Sequence, residues 1–313
     1  MAVFTPLDAA EVDIWLARFD LGPRTELQGI ASGIENTNYF LSTTQGRYVL
    51  TLFERLQAKQ LPFYLGLMHH LAAHGIPVPD PMPDRNGQTL HTLKGKPAAL
   101  VTRLKGKSQL QPLPAHCAQV GHWLARMHLA AQNYAGTQPN LRGLDWQART
   151  IPAILPYVTA EQGALLTSEL DHQTRIAASP AYADLPRSAV HADLFRDNVL
   201  FDGDTLSGIF DFYFAGVDTW VFDLAVALND WCIHLDSGAF DPARHDALLQ
   251  AYLAQRPLQP SERAQLPDAL RAAALRFWTS RLADFHLPRD AHLLTPHDPA
   301  HFERVLRQRI AAH

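Results

Sequence analysis

The sequence predicts an α+β protein with a strand-rich N-terminal lobe and a mainly helical C-terminal lobe. Between residues 25 and 104, short apolar segments alternate with turn residues such as Gln45-Gly46 and Lys94-Gly95, which is typical of antiparallel strands. Beyond Pro114, apolar residues recur at helical spacing over much of the chain. A chain of 313 residues is also long enough for two lobes. We expect these lobes to comprise residues 1–104 and 105–313.

Turn and cap residues place the elements of the N-terminal lobe. A capped helix is predicted after Thr5-Pro6, ending at Gly22-Pro23, and a second helix, Pro62–His74, crosses the sheet. A hinge is expected within residues 103–108. The five antiparallel strands are predicted within residues 27–30, 39–41, 48–53, 89–93 and 98–104.

The C-terminal lobe is predicted to hold helices around one embedded hairpin. Helical periodicity covers Pro114–Ala131 and most of residues 220–312. The hairpin turns at Asp202-Gly203-Asp204 and should bring Asp211 beside Asn198. The hairpin strands are predicted at residues 199–201 and 206–212. Another strand, at residues 188–190, is predicted just before the polar loop 191–198.

The polar loop carries the pattern H-x-D-x-x-x-x-N in His191, Asp193 and Asn198. In kinases this spacing supplies an Asp that orients a hydroxyl nucleophile and accepts its proton, and an Asn that holds a metal ion. Asp211, in the apolar run that follows, occupies the position at which such enzymes carry a metal-binding Asp, their other metal ligand. The alternative is that His191, Asp193 and Asp197 are simply turn-forming residues. The spacing and the paired strand favour the first interpretation.

A second polar loop, between the first two strands, suits phosphate binding. Its small residues would let backbone N–H groups approach phosphate oxygens, and its side chains add further donors. An ordinary hairpin loop rich in Asn would look similar. If the loop does bind phosphate, the nucleotide lies in the cleft between the lobes, and its adenine pairs with the backbone of Thr102 to Leu104. The predicted phosphate-binding residues are Ser32, Gly33, Asn36 and Thr37.

This order of elements is that of a bilobal protein-kinase-like fold. The chain resembles the aminoglycoside phosphotransferase/choline kinase superfamily and, within it, the homoserine kinases built on this scaffold. The resemblance spans nearly the whole chain. It is carried by residues 29–39, 48–54, 75–79, 120–128, 191–201, 211–213, 223–225, 229–232 and 276–281.

The resemblance implies residue roles and cofactors. Asp193 is the implied catalytic base, His191 braces the loop, and Asn198 and Asp211 hold Mg²⁺ that bridges the phosphates of ATP. Asp223 is implied to hydrogen-bond the catalytic loop from the start of a helix, a position where an Asp is also a simple cap.

The sequence departs from the kinase pattern in the third strand. Kinases place a phosphate-binding Lys there, but Tyr48-Val-Leu50 is followed by Thr51, and the crossing helix has no acid to pair with a Lys. Arg55, Lys59 or Arg196 could substitute, and we favour Arg55. A pseudokinase that binds nucleotide without turnover is the alternative, although the base and both metal ligands are intact.

Side chains after the catalytic loop suggest a small zwitterionic substrate, whose two charged ends need opposite partners. We expect Arg196, Asp230 and Arg281 to contact it. The function that follows is ATP-dependent phosphorylation of L-homoserine to O-phospho-L-homoserine, in threonine biosynthesis. The alternatives are another alcohol (choline, methylthioribose, a fructosamine or an aminoglycoside), a metallohydrolase built on His191, Asp193 and Asp211, or a non-catalytic nucleotide-binding regulator.

Composition excludes several classes of partner. The formal charge is −4, from 27 basic and 31 acidic residues, and no basic run suggests nucleic acid. No apolar stretch approaches membrane-spanning length, and acids precede the first basic residue, unlike a signal peptide. Cys117 and Cys232 fit buried thiols in a reducing compartment. We expect a soluble, cytoplasmic enzyme.

Overall fold

The computed structural model describes residues 3–30, 36–287 and 298–312. The chain divides into two compact units, Met1–Lys105 and Gly106–His313. Within the described residues, no helix is both long and apolar enough to cross a membrane. The two cysteines, Cys117 and Cys232, are buried and free.

The first unit contains the predicted five-stranded antiparallel sheet, and its strand order is β1-β2-β3-β5-β4. The register pairs Asn38 and Ala99 with Thr51 of the central strand β3. The predicted crossing helix, α2, follows β3. The elements are α1 (Ala9–Leu16), β1 (Arg24–Gly29), β2 (Asn36–Thr43), β3 (Arg47–Phe53), α2 (Leu61–Ala73), β4 (His91–Leu93) and β5 (Lys96–Thr102).

One face of this sheet packs against α1. Asp8 starts α1 with a capping box to Glu11, and Trp15 and Leu16 then join a buried cluster with Leu41 of β2 and Leu50 of β3. Because neighbouring residues of a strand point to opposite faces, the face away from α1 carries the alternate residues of each strand. Asn38, Thr51 and Ala99 belong to that opposite face.

The second unit is mainly helical, and its first long helix has the predicted bounds. Helices α3 and α8 approach closely at Gly121, where a Cβ would lie 2.1 Å from the Leu248 carbonyl oxygen. The elements are β6 (Lys107–Ser108), α3 (Pro114–Ala131), α4 (Leu144–Ile154), α5 (Ala160–Ala177), α6 (Pro180–Ala183), β7 (Arg187–Val190), β8 (Val199–Asp202), β9 (Thr205–Ile209), β10 (Gly216–Thr219), α7 (Trp220–Trp231), α8 (Pro242–Gln255), α9 (Pro260–His286) and α10 (Ala300–Ala311).

The strands around the polar loop differ in part from the prediction. The hairpin β8–β9 forms, with β6 on its outer edge, but β9 ends at Ile209 rather than at residue 212. It ends early because Asp211 adopts a left-handed backbone conformation (φ 65°), which leads into a short turn at Phe212–Phe214. The unpredicted strand β10 follows and pairs antiparallel with β7.

Candidate active site

The β8–β9 hairpin sets the positions of Asn198 and Asp211. Val199 pairs with Ile209, and the Phe210 N–H donates to the Asn198 carbonyl oxygen at 3.0 Å. Asp211 therefore follows the residue that is bonded to Asn198. The hairpin thus places the amide and the carboxylate at the same end of the two strands.

Asp223, in the first turn of α7, holds the start of the loop. Its two carboxylate oxygens accept the N–H groups of His191 (3.1 Å) and Ala192 (2.7 Å), and His128 Nε2 lies 3.1 Å away. Ala192 has φ 61°, a conformation that costs a non-glycine residue about 1 kcal/mol or more. Burial alone would raise the pKa of Asp223, but the hydrogen bonds from His128 and Ala192 outweigh it and lower the pKa. A buried carboxylate therefore fixes a strained turn.

His191 braces the loop through both of its ring nitrogens. Nδ1 accepts the Asp193 N–H at 3.2 Å, so Nε2 carries the proton and donates to the Phe210 carbonyl at 3.0 Å. Burial lowers the pKa of His191, which keeps the ring neutral. Because both nitrogens have protein partners, this arrangement argues against His191 as a metal ligand and therefore against the metallohydrolase alternative.

The Asp193 carboxylate is held from two sides. Arg276 Nη1 lies 3.2 Å from Oδ1, and Asn198 Nδ2 lies 3.2 Å from Oδ2. Asn198 Nδ2 also donates to the Asp193 carbonyl at 2.8 Å. The side chain of Asp193 keeps 15% of its surface exposed, so a substrate can reach a carboxylate whose orientation is fixed.

Arg276 contacts the candidate base Asp193, a role that the sequence did not assign to it. It lies on α9, is buried, and its guanidinium carbon is 3.7 Å from the centre of the Phe277 ring. Burial lowers its pKa, and Asp193 acts in the opposite direction. The available signal was a basic residue between Leu275 and Phe277 in an otherwise apolar helix segment, since such residues are rarely buried unless they are paired.

Two of the three predicted substrate residues bind one another. Asp230 Oδ2 accepts the backbone N–H of Arg196 (2.8 Å) and lies 3.1 Å from its Nε, while Arg196 Nη1 donates to the Leu110 carbonyl. This pair braces the loop. Arg281 Nη1 donates to the Asp298 carbonyl at 3.2 Å, and its guanidinium lies over the Phe302 ring. A role for these three residues in substrate binding stays a prediction.

The predicted phosphate-binding residues of the first unit are only partly described. Ser32 and Gly33 lie outside the described residues. Asn36 is buried at the start of β2. Thr37 Oγ1 accepts the N–H groups of Phe4 and Thr5 and donates to Glu54 at 2.6 Å, so its hydroxyl is used within the unit.

At the third-strand position where kinases carry a Lys, the structure shows a neutral pair. Thr51 Oγ1 donates to Asn38 Oδ1 at 2.7 Å, on the sheet face away from α1. Arg55, the favoured substitute, is exposed.

The residues predicted to face adenine lie at and after the end of β5. The Thr102 N–H donates to the Asp80 carbonyl at 2.9 Å, and Leu104 follows the strand.

Comparison with known proteins decides the family. A model of the phosphotransferase enzyme family matches residues 26–264. The chain belongs to this family. It is 59% identical to a homoserine kinase from Polaromonas naphthalenivorans (strain CJ2), covering 99% of this chain and 98% of the relative, and 56% identical to one from Burkholderia mallei (strain SAVP1), covering 99% and 96%.

Solved structures of phosphotransferase family kinases share the fold. An amicoumacin kinase in complex with AMP-PNP and Ca²⁺ has a TM-score of 0.72 at 15% identity, covering 97% of this chain and 92% of that one. A microcompartment-associated aminopropanol kinase has a TM-score of 0.67 at 16% identity, covering 97% and 95%. The predicted kinase-like α+β fold is therefore confirmed.

The oxygen-bearing side chains at the end of the β8–β9 hairpin are suitable ligands for the Mg²⁺ that a phosphotransferase uses. The Asn198 amide nitrogen is hydrogen-bonded to Asp193, so its amide oxygen is the atom that could bind a metal. Amide oxygens and carboxylates such as that of Asp211 are the kinds of ligand that Mg²⁺ prefers. In the part of the chain that the structure describes, no three His, Cys, Asp or Glu side chains are grouped to hold a metal ion. This donor set suits a hard cation shared with phosphate oxygens rather than a transition metal.

Proposed function

We propose that the protein transfers the γ-phosphoryl group of ATP to the hydroxyl of L-homoserine, giving O-phospho-L-homoserine and ADP in threonine biosynthesis. The observation that carries the proposal is the loop around Asp193, with its H-x-D-x-x-x-x-N spacing and fixed carboxylate, in a chain 59% identical to a homoserine kinase over nearly its whole length. We also place the enzyme in the cytoplasm.

Asp193 is the group that receives the proton of the substrate. As the homoserine oxygen forms its bond to the γ-phosphorus, the bond from that phosphorus to the bridging oxygen of ADP breaks, and the hydroxyl proton passes to the Asp193 carboxylate. Arg276 and Asn198 keep this carboxylate in one orientation. Such positioning supplies much of the rate enhancement in phosphoryl transfer.

Asn198 and Asp211 would hold Mg²⁺, which neutralises the charge of the phosphates when it is bound. The hairpin and the left-handed turn at Asp211 fix the position of both residues. Asp223 and His191 do not contact the substrate in this scheme. They hold the backbone of the loop, and therefore Asp193, in place.

The first unit is proposed to bind the nucleotide and the second to carry catalysis and bind the substrate. Ser32, Gly33 and Asn36 are the proposed phosphate contacts of the first unit, together with Arg55, while Thr102 and Leu104 face adenine. Thr37 contributes through the network that its hydroxyl forms with Glu54 at the base of this loop.

The test is ADP release with MgATP and L-homoserine, comparing the wild type with Asp193→Asn. Losing a general base lowers kcat by about 10²- to 10⁴-fold. Asp197→Asn, which changes an exposed acid of the same loop, is the matched control and should keep wild-type activity. Thermal stabilisation by ATP should be the same in all three proteins.

Other outcomes would redirect the proposal. Wild-type activity on choline, methylthioribose or kanamycin but not on L-homoserine would identify another alcohol as the substrate. ATP-induced stabilisation with no turnover on any of these alcohols would indicate a nucleotide-binding regulator instead.

A further inference from the structure

A small cavity in the second unit is separate from the candidate active site. Residues of α4, α5, α7, α9 and β10 line it, and its volume is about 60 Å³. We call it the α4–α9 cavity; its oxygen-bearing lining includes Gln147 of α4, Asp218 of β10 and Gln265 of α9. Asp193 and Asp211 are described residues that do not line it. We propose that the α4–α9 cavity binds the ammonium head group of a small primary amine.

Two amide oxygens of the lining are buried without a hydrogen-bond partner among the described residues. They are Oε1 of Gln147 and Oε1 of Gln265. Gln147 is only 4% exposed, and its Nε2 donates to the Arg142 carbonyl at 3.2 Å, so the amide oxygen is the atom left for another donor. Because a buried acceptor without a donor is costly, we expect a ligand or water to supply an N–H or O–H group to each oxygen.

The charge of the lining favours a cation over a neutral ligand. Asp218 and Asp268 line the cavity, whereas no Lys, Arg or His within the described ranges does so. Asp268 already has a partner in His172, whose Nε2 lies 2.6 Å from Oδ1. Asp218 is therefore the carboxylate that a cation in the cavity would bind.

The partners of Asp218 leave its charge poorly compensated. Oδ2 accepts from Asn140 Nδ2 and Oδ1 accepts from the Thr219 N–H, both at 2.7 Å, and both donors are neutral. Burial raises the pKa of Asp218, and the nearby charge of Arg187 offsets this only in part. An ammonium ion beside Asp218 would stabilise the ionised carboxylate, and its three N–H groups match one carboxylate and two amide oxygens.

The size and apolar part of the cavity restrict the ligand further. A cavity of about 150 Å³ holds the six carbon atoms of benzene, so the smaller α4–α9 cavity admits a group of about three heavy atoms. Leu144 and Val221 give it an apolar wall, which suits an alkyl chain, whereas a bare metal ion would need oxygen ligands on all sides. Ile176 and Ala272 of the lining are only half-buried, so a longer chain could extend to the surface.

The cavity also lies beside elements that hold the catalytic loop. Thr219 pairs with Arg187 of β7, the strand that leads into the loop. Phe222 of the lining directly precedes Asp223, whose carboxylate binds the backbone of the loop. A bound ammonium ion would therefore contact these supporting elements without entering the candidate active site.

The experiment is calorimetric titration of the full-length protein with ethylammonium chloride at about pH 7 and constant ionic strength. ATP and L-homoserine are left out, so the result does not depend on the proposed function. The expected Kd is about 1 mM, which is near the best that three heavy atoms allow. Propionate, with the opposite charge, and ethanol, with none, should not bind measurably.

Gln265→Met removes one amide oxygen while keeping the length of the side chain, and it should weaken ethylammonium binding about tenfold. Asp218→Asn, which removes the charge, should weaken it at least as much. Gln308→Met makes the same change as Gln265→Met at an exposed position of α10 and is the matched control. It should bind ethylammonium as the wild type does.

Three results would overturn the inference. The first is a wild type that does not bind ethylammonium, because the cavity would then hold only water. The second is unchanged binding in Gln265→Met and Asp218→Asn, which would place the ion elsewhere; if Asp218→Asn does not fold, unchanged binding in Gln265→Met is sufficient. The third is equal binding of ethanol, which would show that the site does not select for positive charge.

Discussion

The catalytic loop of the second unit and the third strand of the first unit handle charge in different ways. In the loop, Asp193, Asn198 and His191 have ionic or hydrogen-bonding partners within the protein, and the buried carboxylate of Asp223 fixes the backbone. In the strand, the position where kinases keep a Lys carries Thr51, hydrogen-bonded to Asn38. One region is charged and tightly connected, and the other is neutral.

This difference indicates which roles in a phosphotransferase require fixed residues and which can be filled by side chains at other positions. A base and its metal ligands must meet at one reacting hydroxyl, so their relative positions depend on a short loop and on one hairpin. Neutralising the phosphates only requires positive charge nearby, and several side chains could supply it. Substitutions in the two regions should therefore have effects of different size and kind.

The largest effect is expected from Asp223→Asn. The Asn oxygen can replace only one of the two carboxylate oxygens. Its NH₂ group would then face either the Ala192 N–H, which binds Oδ1, or the N–H groups of His191 and His128, which bind Oδ2. Breaking this buried network should destabilise the protein by about 3 kcal/mol and remove most activity. Urea unfolding and kcat measure the two effects.

Asp241→Asn is the control for Asp223→Asn, because it makes the same chemical change at another helix start. Asp241 caps α8 by accepting the Arg244 N–H at 3.0 Å and lies outside the candidate site. Asn is also a good N-cap residue, so we expect this change to cost well under 1 kcal/mol and leave kcat intact. If Asp223→Asn is equally mild, the loop does not depend on its buried carboxylate.

A smaller effect, confined to ATP, is expected in the first unit. If Arg55 replaces the strand Lys, Arg55→Met should raise KM for ATP about tenfold, since it removes one charge-assisted contact, and should leave KM for L-homoserine unchanged. Lys59→Met, which removes another exposed charge after β3, should have little effect. Equal effects of the two substitutions would mean that no single side chain replaces the Lys.

The sequence predicted those features that depend on local pattern. Helix α3 has the predicted bounds because its apolar periodicity and Pro114 define it without help from the rest of the chain. The predicted end of β9, at residue 212, was wrong because the left-handed conformation of Asp211 depends on tertiary contacts. Strand β10 was missed for a related reason, since its partner β7 lies far away in the sequence.

The same distinction applies to the candidate site. The spacing of His191, Asp193 and Asn198 lies within one loop and can be read directly. Arg276 is 83 positions from Asp193, and only the packing of α9 brings the two together. For Arg196 and Asp230, the sequence indicated charged residues near the site but could not show that they bind each other.

The smallest predicted effect concerns pH and tests how completely the loop is buried. Burial lowers the pKa of His191 below its usual value of 6.5, so below that pH the unfolded chain binds a proton that the folded protein does not. Stability should therefore fall as pH decreases from 7 to 5, with His191 contributing at most about 1.4 kcal/mol per pH unit. His191→Gln should be less stable at pH 7, because it loses the bond to the Phe210 carbonyl, but should show a shallower pH dependence in urea unfolding. Parallel pH profiles for the two proteins would mean that His191 takes up a proton in the folded state, and hence that water reaches the loop.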